Sequence, residues 1–88
     1  MPKSTHSHWF AYIVQCCDKT YYTGLTYDLE HRIQVHNSGK GATYTRGRRP
    51  VKLVYFEKFT NYTEAAQREF AIKKLTRTQK EQLLKNEK

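Results

Sequence analysis

Two aromatic, β-branched runs lie only four residues apart: His8–Cys16, HWFAYIVQC, and Tyr21–Leu25, YYTGL. The link Cys17-Asp18-Lys19-Thr20 is too short for a parallel crossover, so the two runs must pair as an antiparallel hairpin. Everything after it has to pack on that hairpin.

The next segment reads as a helix. Thr26 or Asp28 can cap it, Leu29 and Ile33 share one face a turn apart, and Gly39 stops it after about Asn37. Residues 38–50, SGKGATYTRGRRP, have no apolar periodicity and read as a basic loop closed by Pro50. VKLVYFEKF, 51–59, alternates as a third strand. Asn61 or Thr63 caps a helix to about Leu75, with Ala65, Glu69 and Ile72 on one line and Ala66, Phe70 and Lys73 on the next. Thr78 with Glu81 fits a capping box for a last short helix holding Leu83 and Leu84. The expectation is a small α/β (α+β) domain over residues 8–85, order β-β-α-β-α-α, with a three-stranded sheet flanked by helices. Residues 1–7 are expected to be a flexible lead-in.

With 88 residues there is material for one core and one domain. No apolar run could cross a bilayer, and the polar start lacks the apolar stretch of a secretory signal. Cys16 and Cys17 are adjacent, which excludes an ordinary disulfide between them and makes no zinc framework. They read as reduced thiols of a cytoplasmic protein, at least one in the core. Lys and Arg number 16 against 8 Asp and Glu, a net charge of +8. That excess favours a polyanion such as nucleic acid.

The basic residues are not spread evenly. Lys40, Arg46, Arg48, Arg49 and Lys52 fall in one stretch with no acid among them, and Tyr44 is interleaved. Such a loop can track a phosphate backbone, with Tyr44 stacking on a base. The pattern GxxxxGK[ST] is absent, which argues against a nucleoside triphosphate. Arg32 and His36 are one helical turn apart, an anion holder beside a titratable imidazole, although a solvated helix face reads the same way. Tyr12 and Tyr22 come close to facing each other across the hairpin, and Gly24 leaves room for a close backbone approach. Glu69 is either the acidic half of a helical pair with Lys73 or a carboxylate able to hold Mg²⁺ with most of its waters.

Phe10-Ala11-Tyr12, Tyr22-Thr23-Gly24, Arg32 with His36, and Glu69 come in an order and spacing that resemble the GIY-YIG nuclease domain. The resemblance covers residues 8–84. It is nearest to the short stand-alone bacterial branch, the UPF0213 group, through HNSGKGATYTRGRRPVKLVY. It implies a DNA endonuclease that hydrolyses phosphodiesters with one divalent metal, Mg²⁺ or Mn²⁺. It also implies the roles. Tyr12 and Tyr22 are the tyrosines of the two motifs, Arg32 the catalytic arginine, His36 a residue that is Tyr or His in related nucleases, and Glu69 the metal ligand. The proton acceptor is Tyr22 or His36.

The late Asn of other branches has no match, Asn86 being too near the end, and three further positions depart from the family pattern. Phe10 stands where the first motif has Gly, Thr23 where the second has an aliphatic residue, and Leu25 where some relatives carry Lys. The expected substrate is branched or otherwise structured DNA, or damaged DNA, in repair or recombination. Targeting would come from the 40–52 loop, a partner protein or self-association. The alternative is a nucleic-acid-binding module of the same fold, weakly active or inactive, that uses the basic loop.

Overall fold

The hairpin forms, and its first strand becomes the centre of the sheet. The computed structural model describes residues 8–86; the expected lead-in, 1–7, lies outside the described residues. Strands β1 (Trp9–Gln15) and β2 (Tyr21–Thr26) are followed by helix α1 (Leu29–Ser38) and a single turn of helix, α2 (Thr43–Arg46). Strand β3 (Lys52–Phe59) and helices α3 (Tyr62–Lys73) and α4 (Arg77–Asn86) complete the chain. The sheet is antiparallel throughout, in the order β2-β1-β3.

A central strand buries both faces. Alternation sends Ala11 and Ile13 to one side, with Tyr55 and Ile72; Tyr12, Val14 and Cys16 go to the other, with Val51. Leu29 and Ile33 of α1 cover the second side, as their spacing predicts. Ile72 of α3, with Leu75, Leu83 and Leu84, covers the first. Each fully buried aliphatic side chain here contributes roughly 1.5–3 kcal/mol. The register between β1 and β3 slips between Ile13 and Val14, so that Tyr55 faces Ile13 and Leu53 faces Val14. That extra residue in β3 puts Leu53 and Tyr55 on opposite faces.

The helix ends follow local chemistry. Asp28, rather than Thr26, caps α1 by accepting from the His31 amide at 3.1 Å; Thr26 instead accepts from the Asp28 amide. Gly39 ends α1 in the left-handed region, φ 88°. Asn61, not Thr63, caps α3. The last helix departs from expectation. Its capping box is Thr76 with Gln79, each side chain accepting from the other's amide at 2.9–3.1 Å. The Thr78–Glu81 spacing falls inside the helix, and Glu81 pairs with Arg77. Of the two cysteines, Cys16 is buried and Cys17 exposed, both unbridged.

The expected basic loop contains α2, which one turn of helix was too short to announce by periodicity. The amides of Thr45 and Arg46 both return to the Ala42 carbonyl.

Candidate active site

Tyr12 is the pivot. It lies on the central strand, fully buried, and pairs across the hairpin with Gly24. A Cβ at position 24 would come within 2.4 Å of the Tyr12 hydroxyl oxygen. The glycine is therefore what lets this ring lie over β2. Tyr22 is not directly opposite Tyr12; it pairs with Val14, two residues along the same face, a diagonal neighbour.

Helix α1 brings Arg32 and His36 to Tyr12 together, as their one-turn spacing requires. The Arg32 Nε donates to Tyr12 Oη at 3.4 Å, and His36 Nε2 lies 2.8 Å from the same hydroxyl. The other imidazole nitrogen, Nδ1, is 2.8 Å from Thr45 Oγ1, whose proton goes to the Ala42 carbonyl at 3.1 Å. Thr45 must then accept, so Nδ1 carries the hydrogen and Nε2 receives the Tyr12 proton. One directed line results: Arg32 to Tyr12 to His36 to Thr45 to Ala42. Gly41 makes room for it, since a Cβ there would come within 2.6 Å of His36 Nδ1.

Burial holds this line in one protonation state. His36 is lowered to about 4, by burial first and by the Arg32 charge second. Tyr12 is raised to about 12 by burial, against the pull of Arg32, with the charges of Tyr22 and Glu69 adding to the rise. Glu69 therefore lies within electrostatic reach of Tyr12. Its carboxylate, 18% exposed, pairs through Oε2 with Lys73 Nζ at 3.1 Å, the helical pair that its spacing allowed. Among the described residues no cluster of three His, Cys, Asp or Glu exists to enclose a metal. A lone carboxylate can hold only an ion that keeps most of its waters.

Tyr22 extends the site outward. Its ring meets His36 edge-on at 5.3 Å and stacks on Tyr44 at 6.0 Å. Arg48 lies over Tyr44 at 4.1 Å. Tyr44 is thus already stacked within the protein rather than standing free for a base.

Four of the five expected site residues, Tyr12, Tyr22, Arg32 and His36, gather on the α1 face of the sheet; Glu69 stands on α3, which packs on the other face, and reaches Tyr12 only electrostatically. A scan of family models matches the description "GIY-YIG catalytic domain" over residues 8–82. The chain belongs to the GIY-YIG family. It is 61% identical over 75 residues to UPF0213 protein CPE1444 of Clostridium perfringens, covering 85% of this chain and 81% of that one. It is 51% identical over 77 residues to UPF0213 protein YazA of Bacillus subtilis, covering 88% and 77%. Two solution NMR structures share the GIY-YIG fold seen here. UPF0213 protein BH0048 of Bacillus halodurans has TM-score 0.60, 45% identity, and coverage of 91% of this chain and 85% of that one. Protein EF2693 of E. faecalis has TM-score 0.61, 46% identity, and coverage of 97% and 88%.

The basic stretch of this GIY-YIG domain is partly engaged in its own structure. Arg48 pairs with Asp18 at 3.1 Å and donates to the Tyr44 carbonyl. Arg49 donates to the Arg46 carbonyl. Arg46 and Arg49, with Asn37, line a concavity of about 370 Å³, while Lys40 and Lys52 are exposed. The Asn37 amide clamps the Val51 backbone from both sides, at 2.7 and 3.0 Å, fixing where the stretch rejoins the sheet. Thr45 is the site residue that sequence reasoning missed. Its signal was positional, a small hydroxyl in a one-turn helix beside a titratable group, and nothing in its own neighbourhood set it apart. Among the described residues no helix is long and apolar enough to cross a membrane.

Proposed function

We propose that this GIY-YIG domain hydrolyses phosphodiester bonds in DNA, acting as an endonuclease on branched, structured or damaged DNA in cytoplasmic repair or recombination. The observation that carries this is the orientation of Arg32. Its Nε is taken by Tyr12, which leaves the two terminal nitrogens for the fork-on-oxyanion geometry that phosphate prefers. His36 and Tyr12 are neutral around it, so its charge has no counter-ion in the line.

The roles follow from accessibility. His36 is fully buried with both nitrogens engaged, so it cannot take a proton from attacking water. Tyr22 is the half-buried phenol beside it and is the proton acceptor in this reading. Arg32 binds the phosphate and neutralises charge that develops on its oxygens. Tyr12 and His36 hold the Arg32 guanidinium in place. Glu69 would hold a divalent ion, Mg²⁺ or Mn²⁺, which supplies Lewis-acid stabilisation of the phosphoryl oxygens. Lys40, Arg46, Arg49 and Lys52 would follow the flanking backbone. A partner protein could add targeting.

Purified protein is expected to nick branched or flapped DNA with Mg²⁺ or Mn²⁺, and Arg32→Ala or Glu69→Gln to abolish nicking. Cleavage that survives both changes overturns the mechanism. The Glu69–Lys73 pair favours a second reading, a binding module without turnover. That module would bind DNA in a salt-sensitive way, unaffected by Glu69→Gln, and cut nothing.

A further inference from the structure

Three aromatic rings from three elements meet where β1 begins and β2 ends. Trp9 opens β1, Tyr27 follows β2, and Tyr62 opens α3. Trp9 stands edge-on to Tyr27 at 5.4 Å and to Tyr62 at 4.9 Å. Tyr27 is 50% exposed and Tyr62 54%. Among the described residues, the buried cores on the two sheet faces are built from other side chains.

The cluster borders the site already described. Trp9 and Tyr27 share a concavity of about 250 Å³ with His31 and Arg32. That is smaller than the ~300 Å³ at which ordinary small-molecule pockets begin, and suits a single planar group. Asp28 also lines it, which disfavours a second phosphate there and leaves the apolar, ring-lined end for a base. Aromatic faces next to a cation are the means by which proteins hold single-stranded nucleic acid, with rings stacking on bases and the cation following the backbone. A base inside a duplex has both faces covered by its neighbours and cannot use such a shelf.

We propose that Trp9, Tyr27 and Tyr62 form a stacking subsite for one unpaired DNA base, adjacent to the phosphate bound by Arg32. The inference rests on the nuclease reading for the position of that phosphate. It narrows the substrate class to DNA that offers an unpaired nucleotide, at a flap or gap.

Trp9 is the only tryptophan in the chain, so its emission reports on this subsite directly. The full chain is titrated, in chelator to prevent cleavage, with a single-stranded oligonucleotide and with a blunt duplex of the same length. Binding is followed in parallel through a label on the DNA. The single strand is expected to quench Trp9 as it saturates, and the duplex to bind without quenching. Tyr27→Ala should weaken single-strand binding about tenfold and duplex binding less than twofold, and Tyr27→Phe should restore it. A single strand that binds with Trp9 unmoved overturns the subsite, as does equal weakening of both ligands by Tyr27→Ala. A parallel cleavage assay on flapped DNA separates the two readings. Quenching without any cleavage keeps the subsite and removes the nuclease reading. Cleavage without quenching, unmoved by Tyr27→Ala, removes the subsite alone.

Discussion

The sheet carries a tyrosine–arginine cluster on each face, and the two are built differently. On the α3 side, Arg68 donates Nε and a terminal nitrogen to the two oxygens of Glu57, at 2.9 and 3.0 Å, and the Tyr55 hydroxyl donates to the same carboxylate. On the α1 side, Arg32 gives only Nε to Tyr12, whose proton goes to a neutral imidazole. Burial pushes both phenols up to about 12. Desolvation would raise Glu57, yet its bonds to Arg68 and Tyr55 hold it below the usual carboxylate range. One cluster cancels its charge internally; the other keeps a cation with no anion in the line. A single carboxylate decides whether a buried-edge arginine has its charge cancelled or left unpaired within its cluster.

The largest expected effect tests that difference. Arg32→Ala should lower phosphodiester cleavage by on the order of 10²–10³, as loss of a charge-stabilising donor does, while the denaturation midpoint hardly moves. Arg68→Ala should do the reverse, losing about 1–3 kcal/mol because Glu57 is left half-buried without its partner, with cleavage by the folded protein within a few-fold of wild type. Steady-state cleavage and urea unfolding on both variants check this. Equal losses of activity would break the comparison.

The next effect is in the pH dependence. Folded His36 titrates at about 4 and an unfolded histidine near 6.5. Between these values the unfolded chain binds the extra proton, so stability falls as pH is lowered through that window. At about 1.4 kcal/mol per pH unit the full loss is on the order of 3 kcal/mol. His36→Gln should flatten that part of the profile. The Glu57 cluster also weakens in acid, but equally in both proteins, so the difference between the two curves isolates His36. A wild-type curve parallel to that of His36→Gln would show that the imidazole is not held neutral by its surroundings.

A smaller effect concerns the space that admits Tyr12. Gly24→Ala drives a Cβ into the Tyr12 hydroxyl and should cost about 1–3 kcal/mol, as overpacking does, and lower cleavage by displacing the Arg32 anchor. Gly47→Ala is the control. No heavy atom lies within 4 Å of its added carbon among the described residues, and its stability should stay within about 0.5 kcal/mol of wild type. Thermal unfolding of the pair measures the difference.

What the sequence could disclose was local. Strand alternation, the caps Asp28 and Asn61, and the one-turn spacing of Arg32 and His36 depend on neighbours along the chain, and each is found. The family motif added Tyr12, Tyr22 and Glu69, which no local pattern distinguishes from ordinary strand and helix residues. Three things were out of reach because they depend on distant pairings. Thr45 acts on His36 only after α2 folds back on α1. Arg68 meets Glu57 only because α3 crosses β3. Trp9, Tyr27 and Tyr62 converge only at one end of the assembled sheet. The Thr78–Glu81 reading failed for a different reason. The same residue pattern recurs two positions earlier as Thr76–Gln79, and where the chain leaves α3 decides which one caps.

The smallest expected effect lies on the α3 side of the sheet, at a position the family pattern gives to an aliphatic residue. Thr23 pairs with Ile13 on β1 and is buried, and its Oγ1 finds no hydrogen-bond partner among the described residues. A buried hydroxyl in that condition carries a desolvation cost with nothing to offset it. Thr23→Val replaces the hydroxyl by a methyl of nearly the same shape and removes that cost. The expected gain is about 1 kcal/mol, read as a higher urea midpoint with an unchanged slope. Cleavage should not change, because Thr23 makes no hydrogen bond to the Arg32–Tyr12–His36 line. The same substitution at Thr45 should cost stability instead, because there the hydroxyl accepts from His36 and donates to Ala42. Two threonines, both buried, are thus expected to respond with opposite sign, and the sign is set by whether the hydroxyl has a partner. A gain at Thr45 would mean that its hydroxyl does not hold His36, and a loss at Thr23 would mean that its hydroxyl is not left without a partner.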